Sequence, residues 1–178
     1  YFDIINQKRR PMFLKKLKFY FLIITISGTI FLVYSFYKGY QFNKNKLDPK
    51  ILKEVDYKQR MLRSLAFNKY QVKQKIPVII SDKLPDKLFG AATLDENKNI
   101  KIYLNKKRFK ESSDYMINDV LPHEYAHALM FVFGNTTKAN GGHTKKWQEI
   151  CLNLEGIKCD RFVDNHDIVI GKLDFLYK

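Results

Sequence analysis

The order of patterns along this chain predicts an α+β domain behind a single membrane-spanning helix. Three observations carry the prediction. Phe19 to Tyr37 runs for nineteen residues without a charge, about the length that crosses the hydrocarbon layer as a helix. Ile100-Lys-Ile-Tyr-Leu104 alternates with the period of a strand. His123-Glu-Tyr-Ala-His127 lies in a stretch that reads as a buried helix, flanked by Val120-Leu121 and Ala128-Leu129-Met130. With 178 residues, 46% of them hydrophobic, the chain has room for one domain and an accessory segment, not for a two-domain enzyme.

Residues 1–18 are a basic segment, with Lys8, Arg9, Arg10, Lys15, Lys16 and Lys18 against one acid, Asp3. Residues 19–38 are the expected transmembrane helix. Ser27, Gly28 and Thr29 dilute its centre, but hydroxyls there can bond back to their own helix. Tyr20, Tyr34, Tyr37 and Tyr40 sit near its ends, where amphipathic rings favour the membrane–water boundary. No small residues at alternate positions follow the apolar run, so it reads as an uncleaved anchor in contact with membrane lipid. Basic residues flank both ends. The denser N-terminal cluster places the N-terminus in the cytoplasm and the domain outside it. The rest of the net charge of +14 is dispersed in short runs such as Lys106-Lys107-Arg108, the pattern of a solvated basic surface; nucleic acid is not the favoured partner.

Residues 39–48 turn to Asn and Lys and read as a solvated linker. The domain is expected over residues 49–178. Asp48-Pro49 supplies an N-cap and a first-turn proline, so a packing helix begins there and runs to about Val72. Three strand-like pieces follow, Ile76 to Ile80, Leu88 to Leu94 and Ile100 to Leu104, the last two joined by the polar turn Asp95 to Asn99 as a hairpin. From Ser112 or Ser113 the pattern returns to helix and ends at Gly134-Asn135. Another helix is expected from near Thr144 to Gly156, and Ile168 to Ile170 has strand composition. Cys151 and Cys159 are too few for a disulfide framework and too far apart for a zinc ribbon. Their spacing leaves open whether they bridge.

The chemistry resides in His123-Glu124-Tyr125-Ala126-His127. Histidines four apart on a helix lie one above the other on the same face, where both rings can reach one Zn2+. Glu124 projects beside them, placed to deprotonate a water without being a ligand. A catalytic zinc needs a third protein ligand and an open position. His143 follows a glycine-containing loop and opens a helix bearing Trp147 and Ile150, which suits that role. Glu149, Glu155 and His166 are its rivals. The metzincin pattern is excluded, because Met130 and Phe133 stand where it requires Gly and His. Pro122 inside the helix implies a restart or a kink. The expected reaction is hydrolysis of a protein or peptide substrate. No residue for the oxyanion is named by the sequence beyond the candidates Tyr125 and Tyr103.

At these residues the chain resembles the SprT-like metallopeptidase family, which includes the Spartan proteases. The resemblance spans roughly Leu88 to Asp164 and rests on Ile100-Lys-Ile-Tyr-Leu104, Pro122-His-Glu-Tyr-Ala-His-Ala128, Gly142-His-Thr-Lys-Lys-Trp147 and Leu154-Glu-Gly-Ile157. It implies a minimal zincin-like α+β fold in which a small sheet supports the zinc helix. It also implies zinc ligands at His123, His127 and His143, a catalytic Glu124, and peptidase activity. Three features depart from the family: Thr144 where Gly is frequent, no cysteine-rich ribbon, and a membrane anchor ahead of the domain. The DNA-crosslink substrates of the better-known members are therefore not carried over. Two other readings stand beside this one: a membrane-tethered module binding nucleic acid or anionic lipid with a structural zinc, and a gluzincin-type peptidase with a glutamate third ligand.

Overall fold

Helix α1, Phe2–Lys44, forms the first of two units in the computed structural model, which describes residues 2–137 and 142–159. The units are Tyr1–Asn45 and Lys46–Lys178. Leu14–Lys44 is long and apolar enough to cross a membrane, and its large side chains, Ile24, Phe31 and Phe36 among them, are exposed. Its hydroxyls are satisfied internally: Thr25 Oγ1 donates to the Phe21 carbonyl at 2.8 Å and Thr29 Oγ1 to that of Thr25 at 2.8 Å. The helix outruns the expected 19–38 at both ends, and the linker expected over residues 39–48 narrows to the segment after Lys44. Gln41 explains the extension, since its Nε2 donates to Tyr37 Oη and its carbonyl accepts from the Asn45 N–H, carrying the i, i+4 pattern forward.

The second unit opens as the capping residues require. Asp48 Oδ1 accepts from the Lys50 N–H at 2.8 Å, Pro49 occupies the first turn, and α2 spans Pro49–Tyr70. It ends on Gln71, in the left-handed conformation at φ 57°. Val55, Leu62 and Ala66 supply its buried stripe.

Strands β1 (Val78–Ser81), β2 (Gly90–Leu94) and β3 (Ile100–Asn105) form a sheet of order β1-β3-β2. The expected hairpin is β2–β3, antiparallel, with Ala92 opposite Ile102. Asp95 closes its turn by accepting from the Asn99 N–H at 2.8 Å, with Lys98 at φ 60°. β1 pairs with β3 in parallel, a partnership for which the sequence carried no signal. β2 starts two residues later than expected because Asn105, fully buried, holds the preceding loop: its Nδ2 donates to the Pro85 and Leu88 carbonyls at 3.1 and 2.7 Å. Ile100, Ile102 and Leu104 alternate onto the buried face, and the main helix packs on β2 and β3.

That helix is reached in stages. A 3-10 turn, Lys106–Lys110, is followed by α3 (Ser113–Tyr115), a π-helical turn (Met116–Val120) and α4 (Leu121–Val132). The π turn resolves the Pro122 puzzle. The Leu121 N–H reaches five residues back to the Met116 carbonyl, so the helix widens where Pro122 has no N–H to offer and then resumes without a break. α4 ends as Gly134 predicts: Gly134, at φ 78°, donates to the Phe131 carbonyl and Asn135 to that of Met130, a Schellman closure. α5 (Lys145–Asn153) packs on α4. Cys151 and Cys159 are bridged, with Cα atoms 5.8 Å apart, and the Lys158 N–H donates to Asp119 Oδ1 at 2.9 Å. The strand expected at Ile168 to Ile170 lies outside the described residues.

Candidate metal centre

Two of the three histidines are placed by helix periodicity alone. On α4, His123 and His127 stand one turn apart with ring centroids 5.1 Å from each other. The third arrives from another element. The Thr144 N–H donates to the Gly142 carbonyl at 2.8 Å, which turns the chain at His143. Thr144 then caps α5, its Oγ1 accepting from the Trp147 N–H at 3.2 Å. A glycine at 144 would lack that cap.

His143 Nε2 lies 3.1 Å from His123 Nε2 and 3.2 Å from His127 Nε2, and one ligand atom from each of the three falls within 4.8 Å of the others. Around a tetrahedral ion with metal–nitrogen bonds of about 2.0–2.1 Å, the ligand nitrogens stand about 3.3 Å apart. The observed spacings fit that geometry. Burial, reinforced by the other two rings, pushes His123 down to about 3; it is neutral at physiological pH, with a lone pair available to a cation. Histidine nitrogens suit Zn, Cu, Fe and Ni. Glu149 and Glu155 are exposed and are not part of this cluster, and His166 lies outside the described residues.

Glu124 is almost fully buried. Its Oε2 accepts from the Ala92 N–H at 2.9 Å, so the carboxylate rests on β2. Gly90 makes room for it: a Cβ at that position would stand 2.7 Å from Glu124 Cγ and 3.1 Å from Oε1. Burial raises the carboxyl to about 7, against the opposing pull of the Ala92 N–H. A cation within the histidine triangle would draw it down from that value. Gly90 and Ala92 escape sequence reasoning because neither residue type carries a chemical signature.

Tyr125, one of the two oxyanion candidates, is 1% exposed. Burial lifts its hydroxyl to about 12, with Arg63 as the opposing charge, so it belongs to the core. Tyr103 lies on β3 and is only partly buried.

A protein-family model described as the SprT-like family matches residues 43–165. The match takes in α2 as well as the segments that carry the motifs. No solved structure matches the chain.

Proposed function

The chain belongs to the SprT-like family, and from that premise we propose that it is a membrane-anchored zinc peptidase acting on protein or peptide substrates. The observation that carries the reading is the convergence of three imidazole Nε2 atoms from two elements, at 3.1 and 3.2 Å, with a buried carboxylate on the residue next to one of them. Zinc held there by His123, His127 and His143 would supply an activated water and polarise the scissile carbonyl. Glu124 takes a proton at its carboxylate and returns it to the leaving amine. Burial and the charge of a bound cation pull the Glu124 carboxyl in opposite directions, and a base set between them suits both halves of that exchange.

β2 offers the substrate a place. Among the described residues it is an edge strand. The Asn105 N–H to Phe89 and Asp95 N–H to Asn99 bonds direct the odd-numbered residues toward β3. The backbone groups of Gly90, Ala92 and Leu94 therefore face the open edge, where the Ala92 N–H meets Glu124. An extended peptide adding to this edge would run beside the catalytic carboxylate.

The apolar helix within Leu14–Lys44 supports anchoring by residues 19–37. The Cys151–Cys159 bridge supports a domain outside the reducing cytosol. The test is zinc content together with cleavage of casein by the full chain in detergent. Wild-type protein should bind one zinc and cleave, whereas Glu124→Gln should bind zinc and not cleave. Activity retained in that variant would overturn the mechanism. Protection of the C-terminus from added protease in intact spheroplasts would overturn the outward orientation.

A further inference from the structure

Trp147 is the chain's single tryptophan. It is 1% exposed and belongs to no step of the proposed reaction. Yet its ring centroid lies 4.6 Å from that of His123, 5.0 Å from that of His127 and 4.5 Å from that of His143. The three imidazoles are 4.8 to 5.1 Å from one another. Four points with all six separations this similar define a near-regular tetrahedron. The indole therefore caps one face of the histidine triangle.

The contacts differ in kind. Against His127 the indole is stacked, at 27°, while against His123 and His143 the planes are tilted at 66° and 82°. One rigid side chain on α5 thus meets rings that come from α4 and from the turn ahead of α5. Among the described residues the buried indole Nε1–H has no hydrogen-bond partner. What the position brings to the site is its large flat face, set against three imidazoles.

We propose that Trp147 is a positioning residue: it holds the three imidazoles in their metal-binding geometry and closes one side of the site, so that water and substrate approach from the other. The inference rests on the metal reading above. Side chains that orient metal ligands in this way are worth roughly 10–100-fold in metal affinity.

The experiment uses the full chain in detergent, with Zn2+ and the spectroscopic probe Co2+, for wild type, W147F and W147L. Tryptophan emission of the wild type should be quenched by one equivalent of Co2+ and not by Mg2+. W147F keeps an aromatic face and should bind Zn2+ within about threefold of wild type, with the same cobalt spectrum. W147L fills much of the volume without a flat face. It should keep the circular dichroism of the wild type but bind Zn2+ roughly 10–100-fold more weakly, with an altered cobalt spectrum. A merely structural tryptophan would not produce that split. Unchanged affinity and spectrum in a folded W147L would overturn the positioning role while leaving the metal site standing. Failure of the wild type itself to take up Co2+ or Zn2+ would overturn the metal site first, and the role with it.

Discussion

Gly90→Ala isolates the contact that seats the Glu124 carboxylate. The added Cβ would lie 2.7 Å from Glu124 Cγ, 3.1 Å from Oε1 and 3.2 Å from Cδ, and those are its three nearest neighbours. Ordinary contact between such atoms begins near 3.4 Å, so Glu124 must retreat by about 0.7 Å or the strand must move. Gly90 is not at positive φ, so the substitution adds steric conflict and no backbone strain. Overpacking of this kind costs about 1–3 kcal/mol, and a catalytic group displaced by about 1 Å loses on the order of 10²-fold in rate. The assay is a double-mutant cycle with Glu124→Ala, read by denaturant midpoints of the full chain in detergent. G90A should destabilise the wild type by about 1–3 kcal/mol but the E124A background by less than about 0.5 kcal/mol, because the atoms it strikes are then gone. In parallel, G90A should lower kcat/KM about 10²-fold while zinc stoichiometry stays at one. Equal destabilisation in both backgrounds, or activity within twofold of wild type, would refute the seating argument.

Glu124 is raised from 4.5 to about 7, so the metal-free folded chain binds more protons than the unfolded one between those values. The contribution of this group to stability is complete below the lower value and is lost as pH rises through the upper one. EDTA-treated E124Q should therefore exceed wild type by roughly 3 kcal/mol at about pH 8 and match it at about pH 4; a difference independent of pH would count against the buried-carboxylate account. His143→Ala should lose zinc while Glu149→Ala keeps it, measured by bound metal after desalting, and the reverse result would move the third ligand to glutamate. Reducing Cys151–Cys159, eight positions apart in sequence, should lower stability by about 2.5 kcal/mol; no shift in the denaturant midpoint would mean the loop is held by its other contacts, such as Lys158 to Asp119.

What the sequence determined by itself was local. Helical periodicity fixed His123 and His127 on one face, strand periodicity and the turn Asp95 to Asn99 fixed the hairpin, Asp48-Pro49 started α2, and Gly134 stopped α4. Each depends on residues a few positions apart, whose geometry the backbone dictates wherever the segment lies. The tertiary structure decided the rest. It brought His143, and not the exposed Glu149 or Glu155, beside His123 and His127, joined β1 to β3 in parallel, brought the Ala92 N–H and the bare Cα of Gly90 against Glu124, and set Trp147 on three imidazoles at once. These contacts join residues distant in the chain, and they exist only because burying Ile102, Leu104, Leu129 and Trp147 in a common core draws sheet, α4 and α5 together. No window of sequence contains that core, so none could reveal the groups it juxtaposes.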